Sequence, residues 1–353
     1  VMGAVGTVAG SLIAQFTGAD NEREAWCSLN VSLICGALLS ALFLLAVGGF
    51  PEQILGLYTA DGGILQAGAA YFQIVAFAYL PMALSTVLSA WLRCKDHAAI
   101  PFLASLGAVA ANTGLNYLLI FGKLGFAPMG VRGAAIATLI SQLLNFLLIL
   151  LGFAAGLKKD DAQPLWTLHF TTITLRKYGG MVLPILVSEF LWSLGQNVES
   201  AVYGHLGTAN MAAYTLTCPI QSLIVGALSG LSAAAGVMVG KQLGKKAYDA
   251  AYRDARSIML TGLVGSACVA ALLTLFAGAY TGLYRVAADV QALGQTLLIV
   301  FALYAPVKVE NMILSGGILR SGGKTKLILV IDTLGTWGIG VPLCLLGAYG
   351  LHW

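Results

Sequence analysis

Long, almost wholly apolar stretches alternate with short polar ones from one end of the chain to the other. The pattern predicts ten helices, over 1–16, 26–48, 64–91, 98–121, 130–156, 180–203, 210–240, 257–279, 290–318 and 326–349. Most reach the roughly 20 residues that cross a hydrocarbon core. Their apolarity is sustained rather than alternating with period two, which excludes β-barrel spans. The first stretch, "VMGAVGTVAGSLIAQF", has no basic residue ahead of it and runs into acidic "ADNERE", so it reads as a span and not as a signal peptide.

The polar and small positions repeat. "GLYTADGGILQAG" begins at Gly56 and "GLYRVAADVQALG" at Gly282, 226 positions later. The same offset pairs Gly10 with Gly236, Gly18 with Gly244, Gly36 with Gly262, Ser40 with Ser266 and Ala41 with Ala267. Six helix passes separate the copies, so both cross the membrane in the same sense. That is the parallel class of transporter repeat, which places a site between halves that alternate in access. The halves are expected at 1–156 and 180–353, joined by a polar cytoplasmic linker at 157–179. Relative to the repeat, each half is one helix short, so a further span is expected upstream of residue 1 and another beyond 353. The fold class is therefore an all-α polytopic membrane protein with two six-helix lobes, ten of twelve helices lying in this chain.

Composition agrees, with 58% apolar and 10% charged residues against roughly a quarter charged in soluble domains. Of the 19 Lys and Arg residues, 15 fall in alternate loops on one side, among them Arg93, Lys95, Lys241, Lys245, Lys246, Arg253, Arg256, Arg320 and Lys324. The opposite loops hold Lys123, Arg132 and Arg285, and Lys308 lies inside a span. The rich side is cytoplasmic, and this distribution explains the basic residues without a nucleic-acid partner. The six cysteines are scattered without a CxxC pair, so they read as buried small residues. The chain lacks HExxH, GxSxG and Walker motifs, which argues against an enzyme.

Intramembrane ionisable residues are the candidate chemistry. Glu189 lies about nine residues into its expected helix, near the bilayer centre. Trp192, Ser193 and Gln196 follow on one face. A carboxylate among amide and hydroxyl oxygens can hold a proton or a hard cation; a packed structural Glu is the other reading. Glu310, ten residues before Arg320, has Lys308 two positions away as a possible neutraliser; Asp332 fits capping as well as ligation. Glu199 fits a wet outer cavity. Asn112, Asn116 and Gln142 fit either helix association or cavity lining, and Asn197 joins Gln196 among the cavity amides. Trp192, Tyr203 and Tyr214 can stack on flat organic cations. Small residues at Gly130, Ala134 and Thr138, and at Gly133, Ala137 and Ser141, form ridges for close helix approach.

"GAAIAT" at 133–138, "PILVSEFLWSLGQ" at 184–196, "LGKKAYDAA" after the seventh expected helix, "ILRSGG" at 318–323 and "DTLGTWGIGVPL" at 332–343 together resemble the multidrug and toxic compound extrusion family. The resemblance covers nearly the whole chain. It implies a plasma-membrane (inner-membrane) antiporter, monomeric and without a cofactor, that exports organic and often cationic compounds in exchange for sodium ions or protons. Glu189, Glu310 and Asp332 are then the cation-coupling candidates. "SGGK" departs from the family by placing Lys324 where an acidic residue usually stands. A flippase for lipid-linked precursors is the alternative on this architecture, but it calls for a cationic cavity, and the charges here are mainly acidic.

Overall fold

Caps decide where each span starts. The computed structural model describes residues 2–56, 61–159 and 171–350. After α1 (Met2–Gly18), Asn21 opens α2 (Glu22–Gly49), its side chain accepting from the Glu24 N–H at 3.2 Å. A short α3 (Pro51–Leu55) precedes α4 (Gly62–Val75), which Asp61 caps by accepting from the Gly63 and Ile64 N–H groups at 2.8 and 3.2 Å. A 3-10 turn at Ala76–Ala78 carries α4 into α5 (Tyr79–Cys94), making one crossing. Then α6 (Ala99–Phe121) stops at Gly122, φ +65°, where a Cβ would sit 2.6 Å from the Pro128 nitrogen. Next come α7 (Gly130–Lys159) and α8 (Thr172–His205).

The start of α8 departs from the sequence reading. The helix expected at 180–203 begins eight residues earlier, so 172–179 are helical and not linker; residues 160–170 of that linker lie outside the described residues. Thr171 acts as the cap, its hydroxyl oxygen accepting from the Thr174 N–H at 3.2 Å. The Thr171 and Thr174 hydroxyls both donate to the Glu24 carboxylate, and the Thr171 N–H donates to the Cys27 sulfur at 3.3 Å. Lys177 holds its ammonium 5.0 Å from the Phe16 ring centroid. Thr171 and Thr174, which look like loop in the sequence, are anchored polar residues, with Thr174 fully buried.

The remaining helices are α9 (Thr208–Gly244), α10 (Tyr248–Gly282) and α11 (Ala288–Ile313), the last extended by a π-helical stretch at Leu314–Leu319. The last crossing joins α12 (Thr325–Thr333) and α13 (Val341–Leu345) through π-helical Leu334–Gly340 and ends in π-helical Leu346–Gly350. Among the described residues nine helical stretches are long and apolar enough to span a membrane; α1, with 17 residues, is the tenth helix of the expected set. No strand occurs among the described residues. Leu45, Leu151, Leu275 and Leu303 are 70, 66, 74 and 75% exposed, a surface suited to lipid and not to water. The protein is an all-α polytopic membrane protein.

Two compact units divide at Tyr178/Gly179, inside α8. In the first, α1 is enclosed by α2 and α5, with Ala4, Val5, Val8, Ala9, Leu12 and Ile13 almost wholly buried. A Cβ at Gly6 would strike Thr86, and one at Gly10 would meet the Ala90 methyl at 3.6 Å. Trp26, Trp91 and Phe153 form an aromatic cluster with centroids 4.5–6.3 Å apart. On α7 the buried ridge is Gly133, Ala137 and Ser141, with Gly133 against the Leu119 backbone; Gly130 instead takes φ +53° with open space around it. In the second unit, α9, α10 and α11 enclose Ile224, Leu273, Ala277, Leu298, Phe301, Ala302 and Ala305.

The internal repeat reappears as equivalent contacts. Gly36 on α2 faces Ala83, and Gly262 on α10 faces Glu310 and Ile313, close to the positions 226 residues on. Gly68 meets Leu55, while Gly294 meets Thr281, its counterpart at the same offset. Gly10 packs near Ala90 and Gly236 near Gly317. At Gly317 a Cβ would lie 2.6 Å from the Ser232 carbonyl oxygen and 2.7 Å from the Ala235 methyl. Gly317→Ala should therefore destabilise the second unit by about 1–3 kcal/mol through overpacking. Thermal unfolding of the detergent-solubilised protein checks this: the midpoint should fall for Gly317→Ala and stay put for a change at Gly226, where nothing lies within 4 Å.

Candidate ion and substrate sites

The long α8 carries most of the candidate residues, so its start sets their depth. Because α8 begins at Thr172, Glu189 stands 17 residues along it, about 26 Å from its first turn and not the nine residues expected. At that level it meets Arg320, which follows the π-helical end of α11. The Arg320 Nη2 donates to Glu189 Oε1 at 3.2 Å, with side-chain exposures of 12% for Arg320 and 30% for Glu189. Arg320 counts as a cytoplasmic loop cation in the sequence, yet its side chain is turned back onto the neighbouring helix. An intramembrane acid calls for a named partner, and the first basic residue past α11 was the signal for it.

Around Glu189, α8 is stitched to the last crossing. The Ser188 hydroxyl donates to Asp332 on α12, the Trp337 indole N–H donates to the Leu191 carbonyl at 3.1 Å, and a Cβ on Gly195 would strike Thr336. The structure thus brings Glu189, Arg320, Ser188 and Asp332 to one stretch of α8. It does not bring Gln196 there: that amide donates to Glu199 at 3.0 Å. Asn197 donates to the Ser193 carbonyl of its own helix at 2.8 Å, and Trp192 is 53% exposed.

Glu310 stands apart from this group. Its Oε1 is shut from solvent with no hydrogen-bond partner, against Gly262, whose Cβ would lie 3.0 Å away. Lys308 does not neutralise it, because its ammonium lies over Phe301 and Tyr304 at 5.7 and 5.9 Å from the centroids. The repeat places Glu310 where the first unit has Leu84, so the carboxylate stands in one copy of the packing and an apolar side chain in the other.

Glu199 lies further along α8, within electrostatic reach of Tyr203, Tyr214, Tyr304 and Lys308. The Tyr203 and Tyr214 rings lie 4.8 Å apart at 32°. Tyr304 and Lys308 were not singled out as partners of Glu199 in the sequence, since α8 and α11 are remote along the chain. In the first unit Asn116 donates to Asn112 at 3.0 Å, Asn112 donates to Ser141 at 3.2 Å, and Ser141 donates to the Thr138 carbonyl. This network ties α6 to α7. Half-buried Gln142 lies beside it, and the Asn116 and Asn145 side-chain carbonyls are buried without a partner.

A family model described as MatE matches residues 1–118 and 184–346. The chain belongs to the MatE family. This MatE chain is 23% identical over 343 residues to the "Uncharacterized transporter YisQ" of Bacillus subtilis, covering 97% of itself and 74% of that protein. It is 30% identical over 255 residues to the "Probable multidrug resistance protein NorM" of Pasteurella multocida, covering 71% of itself and 53% of that protein. A solved structure described as the outward-facing conformation of a multidrug resistance MATE family transporter superimposes with a TM-score of 0.87 at 19% identity, over 98% of this chain and 76% of that one. This MatE chain is accordingly a multi-pass membrane transporter and not an enzyme.

The Glu189–Arg320 pair is partly buried, between an exposed pair worth roughly 0–1 kcal/mol and a buried one whose breakage costs roughly 3–5 kcal/mol. Removing Arg320 leaves the Glu189 charge without this partner, whereas removing both does not. Glu189→Gln and Arg320→Gln should each lower the unfolding midpoint, and the double variant should lie above their sum, with a coupling of about 1–3 kcal/mol. Additive midpoints in a double-mutant cycle would show that the pair is not coupled.

Proposed function

We infer that this chain is a multidrug efflux antiporter, exporting amphipathic and often cationic organic compounds in exchange for sodium ions or protons. The NorM relatives' names and the MatE membership support the substrate class, and it acts in the plasma membrane as a monomer with its basic loops on the cytoplasmic side. The halves 1–156 and 180–353 work as semi-rigid lobes that alternate in access. The observation that carries the coupling step is the contact of Glu189 with Arg320 at 3.2 Å.

A carboxylate already holding a guanidinium can exchange it for an incoming cation. When a proton or sodium ion occupies Glu189, its attraction for Arg320 falls, and the ion's differential affinity for the released state is what shifts the equilibrium. Arg320 directly follows the π-helical Leu314–Leu319, which packs on α9, so its release reaches a segment with irregular hydrogen bonding. Such π segments recur at functional sites. Asp332, joined to α8 through Ser188, and Glu310, with an unsatisfied carboxylate oxygen, are further positions where a cation relieves a buried charge. Tyr203, Tyr214, Trp192 and the amides Gln196, Asn197, Asn112, Asn116 and Gln142 supply aromatic and polar surface for substrates.

Glu189→Gln should abolish gradient-driven efflux while membrane insertion is retained. Proteoliposomes with imposed sodium or proton gradients measure this and identify the ion, since only the coupled gradient should drive transport. Efflux undiminished in the variant counts against Glu189 as the coupling site.

A further inference from the structure

The internal repeat keeps one turn and reverses its charge. Asp20 and Lys246, 226 positions apart, both take left-handed backbone, at φ +54° and +57°, just ahead of α2 and α10. Around Asp20 the acidic groups are already engaged: Glu22 pairs with Lys95 at 2.5 Å, and Glu24 accepts from Thr171 and Thr174. The first unit also closes this face of α2, leaving Trp26, Cys27 and Asn30 only 7, 0 and 3% exposed. The matching positions of α10 hold Tyr252, Arg253 and Arg256, and all three are exposed. Lys245 and Lys246 in the turn are exposed as well. None of these four cations forms an ion pair or side-chain hydrogen bond among the described residues, and Asp249, one turn before Arg253, does not pair with it. Gln242 donates to Asp254 at 3.2 Å, which ties the end of α9 to the first turns of α10 and engages the other carboxylate of this stretch.

The depth of these groups identifies what they meet. The same side of α10 continues in Leu260, Val264 and Leu275, 51, 62 and 74% exposed, while Ile258, Gly262, Ser266 and Ala277 are buried in the unit. From Leu260 to Phe276 this apolar side runs about 24 Å, most of a hydrocarbon core. Arg256 and Arg253 precede Leu260 by about 6 and 10 Å, so their long side chains fall in the headgroup layer just outside it. Exposed Tyr248 and Tyr252 suit the same interfacial level. We propose that the α9–α10 turn is a docking surface for an anionic phospholipid, with Arg253 and Arg256 on its phosphodiester. Guanidinium forks match phosphate oxygens, and Lys245 and Lys246 add attraction for a headgroup of net negative charge. A zwitterionic headgroup brings its own ammonium against these cations and is disfavoured. The contact is a property of the membrane-facing surface and stands apart from the efflux reading.

The probes are phosphatidylglycerol and phosphatidylcholine spin-labelled on the acyl chain, each at trace level in phosphatidylcholine vesicles that hold the purified protein. The motionally restricted part of the spin-resonance spectrum measures lipid at the protein surface. Phosphatidylglycerol should be favoured by about threefold. Changing Lys245, Lys246, Arg253 and Arg256 together to Gln should remove most of that preference, and Arg253→Gln with Arg256→Gln should already lower it. Exchanging the four as Lys245→Arg, Lys246→Arg, Arg253→Lys and Arg256→Lys should keep a preference, which separates charge from a folding defect. Lys123→Gln, Arg132→Gln and Arg285→Gln, made together at the opposite end, should leave it at the wild-type level. Free glycerol phosphate should displace the labelled lipid no more than sodium chloride of equal ionic strength. The proposal is overturned by a wild-type protein without preference, by a preference that the four Gln changes leave intact, or by an equal loss in the opposite-end variant. Displacement by glycerol phosphate beyond the salt effect also overturns it, since that marks a site for soluble anions.

Discussion

Helices in lipid gain nothing by hiding leucine from a solvent that is itself apolar, so close approach of backbones has to hold them together. That constraint runs through both units. Gly6 and Gly10 of α1 let it settle against Thr86 and Ala90 of α5, Gly133 brings α7 onto the α6 backbone at Leu119, and Gly317 rests against the Ser232 carbonyl. At Gly6, Gly133 and Gly317 a Cβ would collide with its neighbour, while at Gly10 it would make ordinary contact. The large apolar residues are free to face outward, as Leu45, Leu275 and Leu303 do. The repeat recurs at matching approaches, Gly36 with Gly262 and Gly68 with Gly294, the approach being tight at Gly262 and Gly68.

Against this tightly packed background the polar groups fall into two kinds. Some close on themselves. Ser40 and Ser266 are fully buried with their hydroxyls bonded to their own helices, and Asn112 and Ser141 link α6 to α7, leaving only the Asn116 carbonyl of that chain without a partner. Others remain incomplete or exchangeable: Glu189 shared with Arg320, Glu310 with a bare oxygen, and Glu199 facing Lys308 without pairing. All three carboxylates lie in the second unit. The first repeat has Leu84 at the place of Glu310, so at this position one copy carries a carboxylate and the other an apolar side chain. A transporter needs groups whose best partner changes with state, and the proposed coupling role of Glu189 and Glu310 rests on that requirement.

The length and apolarity of each run made the ten helices legible in the sequence, because crossing hydrocarbon is a one-dimensional requirement that any 20-residue window reports. The 226-residue offset was equally plain, since glycine contacts constrain identity at single positions. The family resemblance rested on short motifs in order, and the MatE match bears it out. The beginning of α8 was not legible. Thr171, Thr174 and Lys177 read as loop until Glu24, Cys27 and Phe16, some 150 positions away, are seen to satisfy them.

What sequence alone determined is therefore the solvent, the spans, the duplication and the membership of intramembrane acids as candidates, all properties of residues taken singly or at a fixed offset. The tertiary structure decided the partners. It turned Arg320 from a loop cation into the counter-charge of Glu189, took Gln196 from Glu189 to Glu199, and seated Lys308 on aromatic rings away from Glu310. The physical reason is that electrostatic and hydrogen-bond energies depend on separations of a few ångströms between side chains from different helices, and the rotation and depth of each helix that fix those separations come only from packing.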